Sequence, residues 1–165
     1  MSRHVVGTVA DVPEGGCRIV EVAGRSIGIY RIGDEFFGLR NRCPHQGGPL
    51  CAGKRFGALR ASQPGDYEYT REGEFARCPW HGWEFDIRTG QSWFDPQRTR
   101  VKAYAVEVES VSGPSAGDAS TVARVRPGTV GPDGRTAGPY VAETFAVTVD
   151  DEDRLVVDLG GGRGR

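Results

Sequence analysis

Two short boxes, Cys43-Pro44-His45 and Cys78-Pro79-Trp80-His81, carry the residue types best suited to chemistry. Each supplies one soft thiolate and one imidazole. The chain has four cysteines and three histidines, so outside the boxes only His4 remains among the histidines. Two Cys and two His suit a structural zinc ion, which takes nitrogen and sulfur ligands in a tetrahedron. Zinc-finger spacing, however, pairs Cys with Cys and His with His, whereas each box here mixes the two. In Cys43-x-His45 one residue separates the ligands, so a single metal would be chelated very tightly. Proline after each cysteine stiffens the loop and removes an N–H. The plainer reading makes Cys43 and Cys78 buried core residues beside incidental histidines.

The longer runs are Cys43-Pro-His-Gln-Gly-Gly-Pro-Leu50 and Cys78-Pro-Trp-His-Gly-Trp-Glu-Phe-Asp86. This pattern, C-x-H followed after a spacer by C-x₂-H, resembles the Rieske iron–sulfur proteins. The resemblance implies a [2Fe-2S] cluster with Cys43 and Cys78 on one iron and His45 and His81 on the other. Two loops that each send one residue to each iron relieve the tight chelation. Gly47, Gly48 and Gly82 would let the backbone approach the inorganic sulfides. Zinc and a metal-free chain stay as alternatives at this point.

The same resemblance implies a potential class. High-potential members carry an extra cysteine in each box, joined as a disulfide; the matching positions here are Gly48 and Trp80. They also carry a serine and a tyrosine whose hydroxyls donate to sulfur; here those positions are Trp83 and Phe85. Missing donors should place the cluster near the bottom of the roughly −150 to +300 mV range. That suits single-electron transfer from a flavin or iron–sulfur reductase to a separate oxygenase, as in a stand-alone Rieske ferredoxin. The other class is a cluster-bearing redox sensor or structural subunit of an oxidoreductase complex. Catalysis by the chain alone is not expected. A mononuclear iron held by two histidines and a carboxylate cannot be built once His45 and His81 are used, and His4 reads as an exposed terminal residue. Asp86 is expected to fix the turn around Gly90. Trp80 and Trp83 are expected to pack over the loops.

Positioning these loops falls to short strands. Val5–Val9, Cys17–Val22, Ser26–Ile32 and Glu35–Arg40 are separated by turn residues at regular spacing, which predicts an all-β sandwich or small barrel. With the resemblance, this becomes a Rieske-like antiparallel sandwich or barrel with a small cluster-binding subdomain of two β-loops, 43–50 and 78–86. The 32 residues between His45 and Cys78 predict an inserted hairpin at about 52–77, with Tyr67 and Tyr69 on one face. Residues 111–139 hold six Gly and four Pro in 29 positions. They predict a flexible surface loop, because such a stretch buries too little apolar surface to offset its ordering. Before it comes an expected strand, Val101–Val108; after it come final strands within about 143–158. The whole, 1–165, is expected to be one domain.

A formal charge of −1 argues against a general nucleic-acid binder. No run of about 18 apolar residues predicts a membrane span, and the start lacks the apolar stretch of a secretory signal. Cys17, in a strand, and Cys51, in a loop, are not expected to pair. A reducing cytoplasm is the expected compartment. Arg40, Arg42, Lys54, Arg55 and Arg60 form a stretch without acids that would steer an acidic partner surface.

Overall fold

The computed structural model describes residues 2–93, 126–131, 135–138 and 140–159. The expected strand Val101–Val108 and most of the expected loop at 111–139 lie outside the described residues. Nine strands are described: β1 Arg3–Thr8, β2 Cys17–Val22, β3 Arg25–Ile32, β4 Glu35–Arg40, β5 Arg55–Gln63, β6 Asp66–Arg77, β7 Glu84–Asp86, β8 Thr144–Val149 and β9 Arg154–Asp158. They form an antiparallel six-stranded sheet, ordered β1-β9-β8-β4-β3-β2, and a three-stranded sheet, β5-β6-β7. The all-β expectation holds, and the last two strands return to the first sheet.

The two edges of the larger sheet curl toward one another, giving a near-barrel. β1 stops at Thr8, one residue before the expected Val9, because Val9–Asp11 turns as a short 3-10 segment. The Asp11 carboxylate accepts from the Thr8 N–H at 2.7 Å and pairs with Arg18 of β2 at 2.5 Å. His4, expected as an exposed terminus, sits instead within β1 opposite Val157 and is half-buried.

Alternation of side chains explains why β3 and β4 are buried on both faces. One face sends Ile27, Ile29 and Phe36 into a core with Val12, Val22, Phe145, Val147, Leu155 and Val157. The other sends Tyr30, Phe37 and Leu39 into a second core with Leu50, Ala76, Phe85, Ile87 and both box cysteines. The second core therefore lies between the barrel and the lobe that carries the boxes.

The hairpin β5–β6 turns at Pro64-Gly65, with Gly65 at φ 88°, the Pro-Gly signature of a tight turn that needs a positive φ. Tyr67 and Tyr69 share a face with Leu59 and Ala61, and both tyrosines are exposed.

One expectation is overturned. Cys17 and Cys51 form a disulfide, with Cα atoms 5.8 Å apart. Cys17 pairs with Tyr30 across β2–β3, so it faces the second core rather than the first, and Cys51 lies in the 3-10 turn Leu50–Ala52 that closes the first box. Closing a loop of this size, 34 residues in sequence, stabilises the folded chain by about 3–4 kcal/mol in the chain-entropy picture.

The Thr8 N–H, with Arg18, holds the Asp11 carboxyl below the ordinary value of about 3.9. A depressed carboxylate contributes stability above its unfolded pKa and loses it as pH falls through the folded one. Asp11→Asn should therefore lower the melting temperature at pH 7 and lower it much less at pH 3. Thermal melts of both proteins at the two pH values check this.

Candidate metal centre

Both boxes fold into loops with one backbone plan. In the first, the Cys43 N–H donates to Gly48 O at 2.7 Å and the Gly47 N–H donates back to Cys43 O at 2.7 Å. In the second, the Cys78 N–H donates to Trp83 O at 2.8 Å and the Gly82 N–H to Cys78 O at 3.0 Å. The fifth residue of each, Gly47 at φ 88° and Gly82 at φ 75°, takes the left-handed conformation that glycine adopts without strain. The histidine stands two residues after cysteine in one loop and three in the other. That offset makes the plans superposable but the ligand sets different.

Strand ends hold the loops in place. The first box follows β4; the second is spliced between β6 and β7, where the Arg77 N–H donates to Lys54 O at 3.0 Å. The four site residues predicted from the sequence come together and sort into two pairs. Cys43 and Cys78 are each 2% exposed, and their thiols are within hydrogen-bonding reach of each other. His45 and His81 meet edge-on with ring centroids 4.8 Å apart. His81 is exposed and His45 half-buried. Among the described residues no three His, Cys, Asp or Glu side chains gather around one ion position.

Burial pushes the Cys43 thiol up to about 12, with Cys78 adding to the rise, while the N–H groups of His45 and Gln46 work against it. A cation beside such a thiol favours its ionised form. His45 Nδ1 is buried without a hydrogen-bond partner. A Cβ at Gly48 would lie 2.8 Å from Cys78 Sγ, so the loops approach closely over that residue. Two buried sulfurs, an unpartnered ring nitrogen and a glycine whose missing Cβ lets the two loops meet fit an iron–sulfur cluster.

The surroundings are apolar beneath and open above. Trp83, 7% exposed, stacks edge-on against Tyr140 at 4.3 Å and lies 5.4 Å from the His45 ring. Tyr140, missed in the sequence, reaches to 6.1 Å from His45. Its Gly-Pro-Tyr context at the end of the expected loop was the available signal. Gln91 fixes it, donating to Gly138 O at 2.6 Å and Tyr140 O at 3.3 Å, and Ser92 accepts from the Tyr140 N–H at 3.0 Å. The described end of the expected surface loop is thus packed against the lobe: Ala137 is fully buried, and Arg135 pairs with Glu84 and lies over Phe75. Trp80 packs over the first loop as expected but, unlike Trp83, keeps its outer side in solvent. It is 58% exposed, with its indole over Gly48. Asp86 does fix its turn: it accepts from the N–H groups of Arg88 at 2.9 Å and Thr89 at 3.3 Å, and the Gly90 N–H donates to Asp86 O at 2.7 Å.

The family model of the Rieske [2Fe-2S] domain matches residues 2–105. The chain belongs to this family and carries its [2Fe-2S] cluster. It is 31% identical over 101 residues to the ferredoxin component of naphthalene 1,2-dioxygenase/salicylate 5-hydroxylase systems from Ralstonia sp., covering 61% of this chain and 82% of that one. It is 29% identical over 109 residues to the 3-phenylpropionate/cinnamic acid dioxygenase ferredoxin subunit of Photorhabdus laumondii, covering 66% and 89%. Among solved structures, the ferredoxin of carbazole 1,9a-dioxygenase from Nocardioides aromaticivorans IC177 shares the fold with a TM-score of 0.55 at 18% identity, covering 95% of this chain and 97% of that one. The Sphingomonas yanoikuyae B1 ferredoxin gives 0.52 at 20%, covering 95% and 98%.

Gly48→Ala should disrupt the loop contact, since the new methyl would meet Cys78 Sγ and the Trp80 ring at once. The expected outcome is a folded barrel with markedly reduced iron per chain, read by circular dichroism and metal analysis.

Proposed function

We propose that Cys43 and Cys78 hold one iron and His45 and His81 the other, and that the chain passes single electrons from a flavin or iron–sulfur reductase to a separate oxygenase. The pairing of the four side chains supports this most directly: two adjacent thiols out of water, two adjacent imidazoles, and His81 at the surface. His45 Nδ1, buried and unpartnered, is the atom that would ligate from that ring. The cluster supplies a one-electron carrier. The chain's own residues orient it, exclude water beneath it through Trp83, Phe85 and Tyr140, and leave its histidine edge accessible. Neither Trp83 nor Phe85 has a hydroxyl to donate to sulfur, which supports a low potential. The relatives named as ferredoxin components of dioxygenase systems support an oxygenase as the electron acceptor. In this reading the protein works in the cytoplasm. None of the described helices is long and apolar enough to cross a membrane.

Of the basic stretch expected to steer the partner, Arg60 stands on the hairpin opposite Glu68, and the other four residues divide in two. Arg55 is half-buried and donates to Gly73 O at 2.6 Å and Arg31 O at 2.8 Å, and Arg40 pairs with Glu143 at 3.4 Å. Arg55 is a structural residue, and reversing its charge would test folding. Arg42, alongside Gly47, and Lys54, beside the start of the second box, are exposed. With Trp80 they put two exposed cations and an exposed ring on or beside the two metal loops.

Purified protein should contain two irons and two sulfides per chain, and its reduced form should give a rhombic EPR signal with a low average g. Cys43→Ala or Cys78→Ala should remove the cluster and weaken folding, because metal-binding energy is also folding energy. A colourless protein holding one zinc would refute the assignment. Arg42→Glu combined with Lys54→Glu should slow electron exchange with the partner roughly tenfold at low salt and leave the midpoint potential unchanged. The difference should shrink as salt shortens the Debye length to about 10 Å at 0.1 M. Stopped-flow rates across a salt series check this.

A further inference from the structure

The Cys17–Cys51 disulfide lies where the first box meets the barrel. Cys51 follows Leu50 directly, and Leu50 is fully buried in the core that contains Cys43 and Cys78. Cys17 packs against that same core from β2. The barrel makes room for the bridge: Gly28 of β3 sits beneath it, and a Cβ there would lie 3.2 Å from Cys17 Sγ and 3.3 Å from Cys51 Cβ. Tyr30, two residues on and on the same face, has its ring 3.1 Å from that point. Without the bridge, the segment keeps only weaker ties. The Cys51 N–H donates to Asn41 Oδ1 at 2.9 Å, and the Asn41 N–H donates to Ser26 O at 2.9 Å. Both cysteines are half-buried, in contrast to the box thiols at 2%.

We propose that Cys17 and Cys51 are a thiol–disulfide exchange site whose reaction partner is a dithiol reductant, and that its state sets how firmly the first metal loop is held. In exchange, a partner thiolate attacks one sulfur of the bridge and forms a mixed disulfide. The second partner thiol then resolves it. The chain gains two electrons and two protons as Cys17 and Cys51 thiols, and the partner leaves as its own disulfide. Disulfides in a reducing compartment are mostly of this transient kind. The dithiol form leaves the end of the first loop on the burial of Leu50 and on hydrogen bonds, without a covalent tie to β2, and so more open for loading and release of metal. The disulfide form latches the loop to β2. Pairing these two sulfurs also removes them from competition with Cys43 and Cys78 for metal and for each other. The proposal rests on the cluster assignment above.

The test uses the full-length, iron-loaded protein, anaerobically, with and without dithiothreitol. Release of iron to a chelator is followed at the cluster absorption. Alkylation and intact mass then count the free thiols. Reduced wild type should release iron roughly tenfold faster than the disulfide form, part of what closure of a loop of this length confers. Cys17→Ser with Cys51→Ser keeps the backbone bond to Asn41 and should release iron at the fast rate whether or not dithiothreitol is present. The controlling comparison is within wild type, so a dithiothreitol effect that persists in the double variant would mean direct attack on the metal and would overturn the latch. Equal release from both forms of wild type would overturn it too, as would failure of Cys17 and Cys51 to pair after mild oxidation. A chain that binds no iron at all would instead overturn the cluster assignment.

Discussion

Two thiols held side by side out of water set the terms for the lobe. A buried thiolate without a cation is unfavourable, and burial is the main reason the Cys43 thiol resists ionisation. Metal removes that penalty, so metal and lobe stabilise one another. The requirement is geometric, since each loop has only two internal backbone hydrogen bonds to define its shape. The spacing between loops comes from outside them. One wall is the lobe-facing side of β3 and β4, with Tyr30, Phe37 and Leu39; the other is β6–β7, with Phe75 to Asp86 and Ala76 to Phe85 in register. Tyr140, brought in from the far end of the chain, closes the remaining side.

Arginines stitch these walls together. Arg71 donates to Asp86 at 2.6 Å and Glu74 at 2.7 Å; Arg88 reaches Glu35 on β4 at 2.6 Å; Arg77 and Arg135 converge on Glu84. Several guanidinium planes also cover aromatic rings, Arg77 over Phe56 at 3.8 Å and Arg71 over Phe75 at 4.6 Å. Most of these arginines are partly exposed, and exposed ion pairs contribute little by charge alone. Their worth is positional. Asp86, buried at 3%, is held from one side by Arg71 while its other oxygen shapes the turn to Gly90. That turn brings Gln91 and Ser92 to the backbone of Tyr140. A chain of polar contacts thus leads from the three-stranded sheet to the ring beside His45.

Local pattern carried far into this fold. Cys17–Val22 and Glu35–Arg40 are the bounds of β2 and β4 as read from the alternation and turn residues. The boxes could be read because ligand chemistry restricts both residue type and spacing. What escaped reading depends on pairings distant in sequence. The parity of Cys17 places it on the lobe face, opposite Val20 and Val22. Only the fold of the first box brings Cys51 to that face. Tyr140 followed a Gly/Pro-rich stretch whose composition gives no apolar period, so its burial rests on Gln91 and Ser92, some fifty residues away. Arg55 looked like one charge in a basic run. Its engagement with the carbonyls of Arg31 and Gly73 appears only when β3 and β6 are both in place.

The β5–β6 hairpin raises a question of reach. Its base adjoins the metal loops, since Arg55 pairs with Ala76 just before Cys78, and its turn lies nine residues along β5. At about 3.3 Å per residue the turn stands up to roughly 26 Å from the loops. Small redox interfaces bury under about 600 Å² per partner, a disc of roughly 14 Å radius. A disc of that radius is about half the reach of the hairpin. Tyr69 is in part accounted for internally, because its hydroxyl accepts from the Gly57 N–H at 2.6 Å across the bulge between Phe56 and Ala58. A partner docked on the loop end, as proposed above, would leave the outer hairpin uncovered. In that arrangement the exposed faces of Leu59 and Tyr67 would stay in solvent, and changes at the turn would act far from the thiols and imidazoles at the hairpin's base.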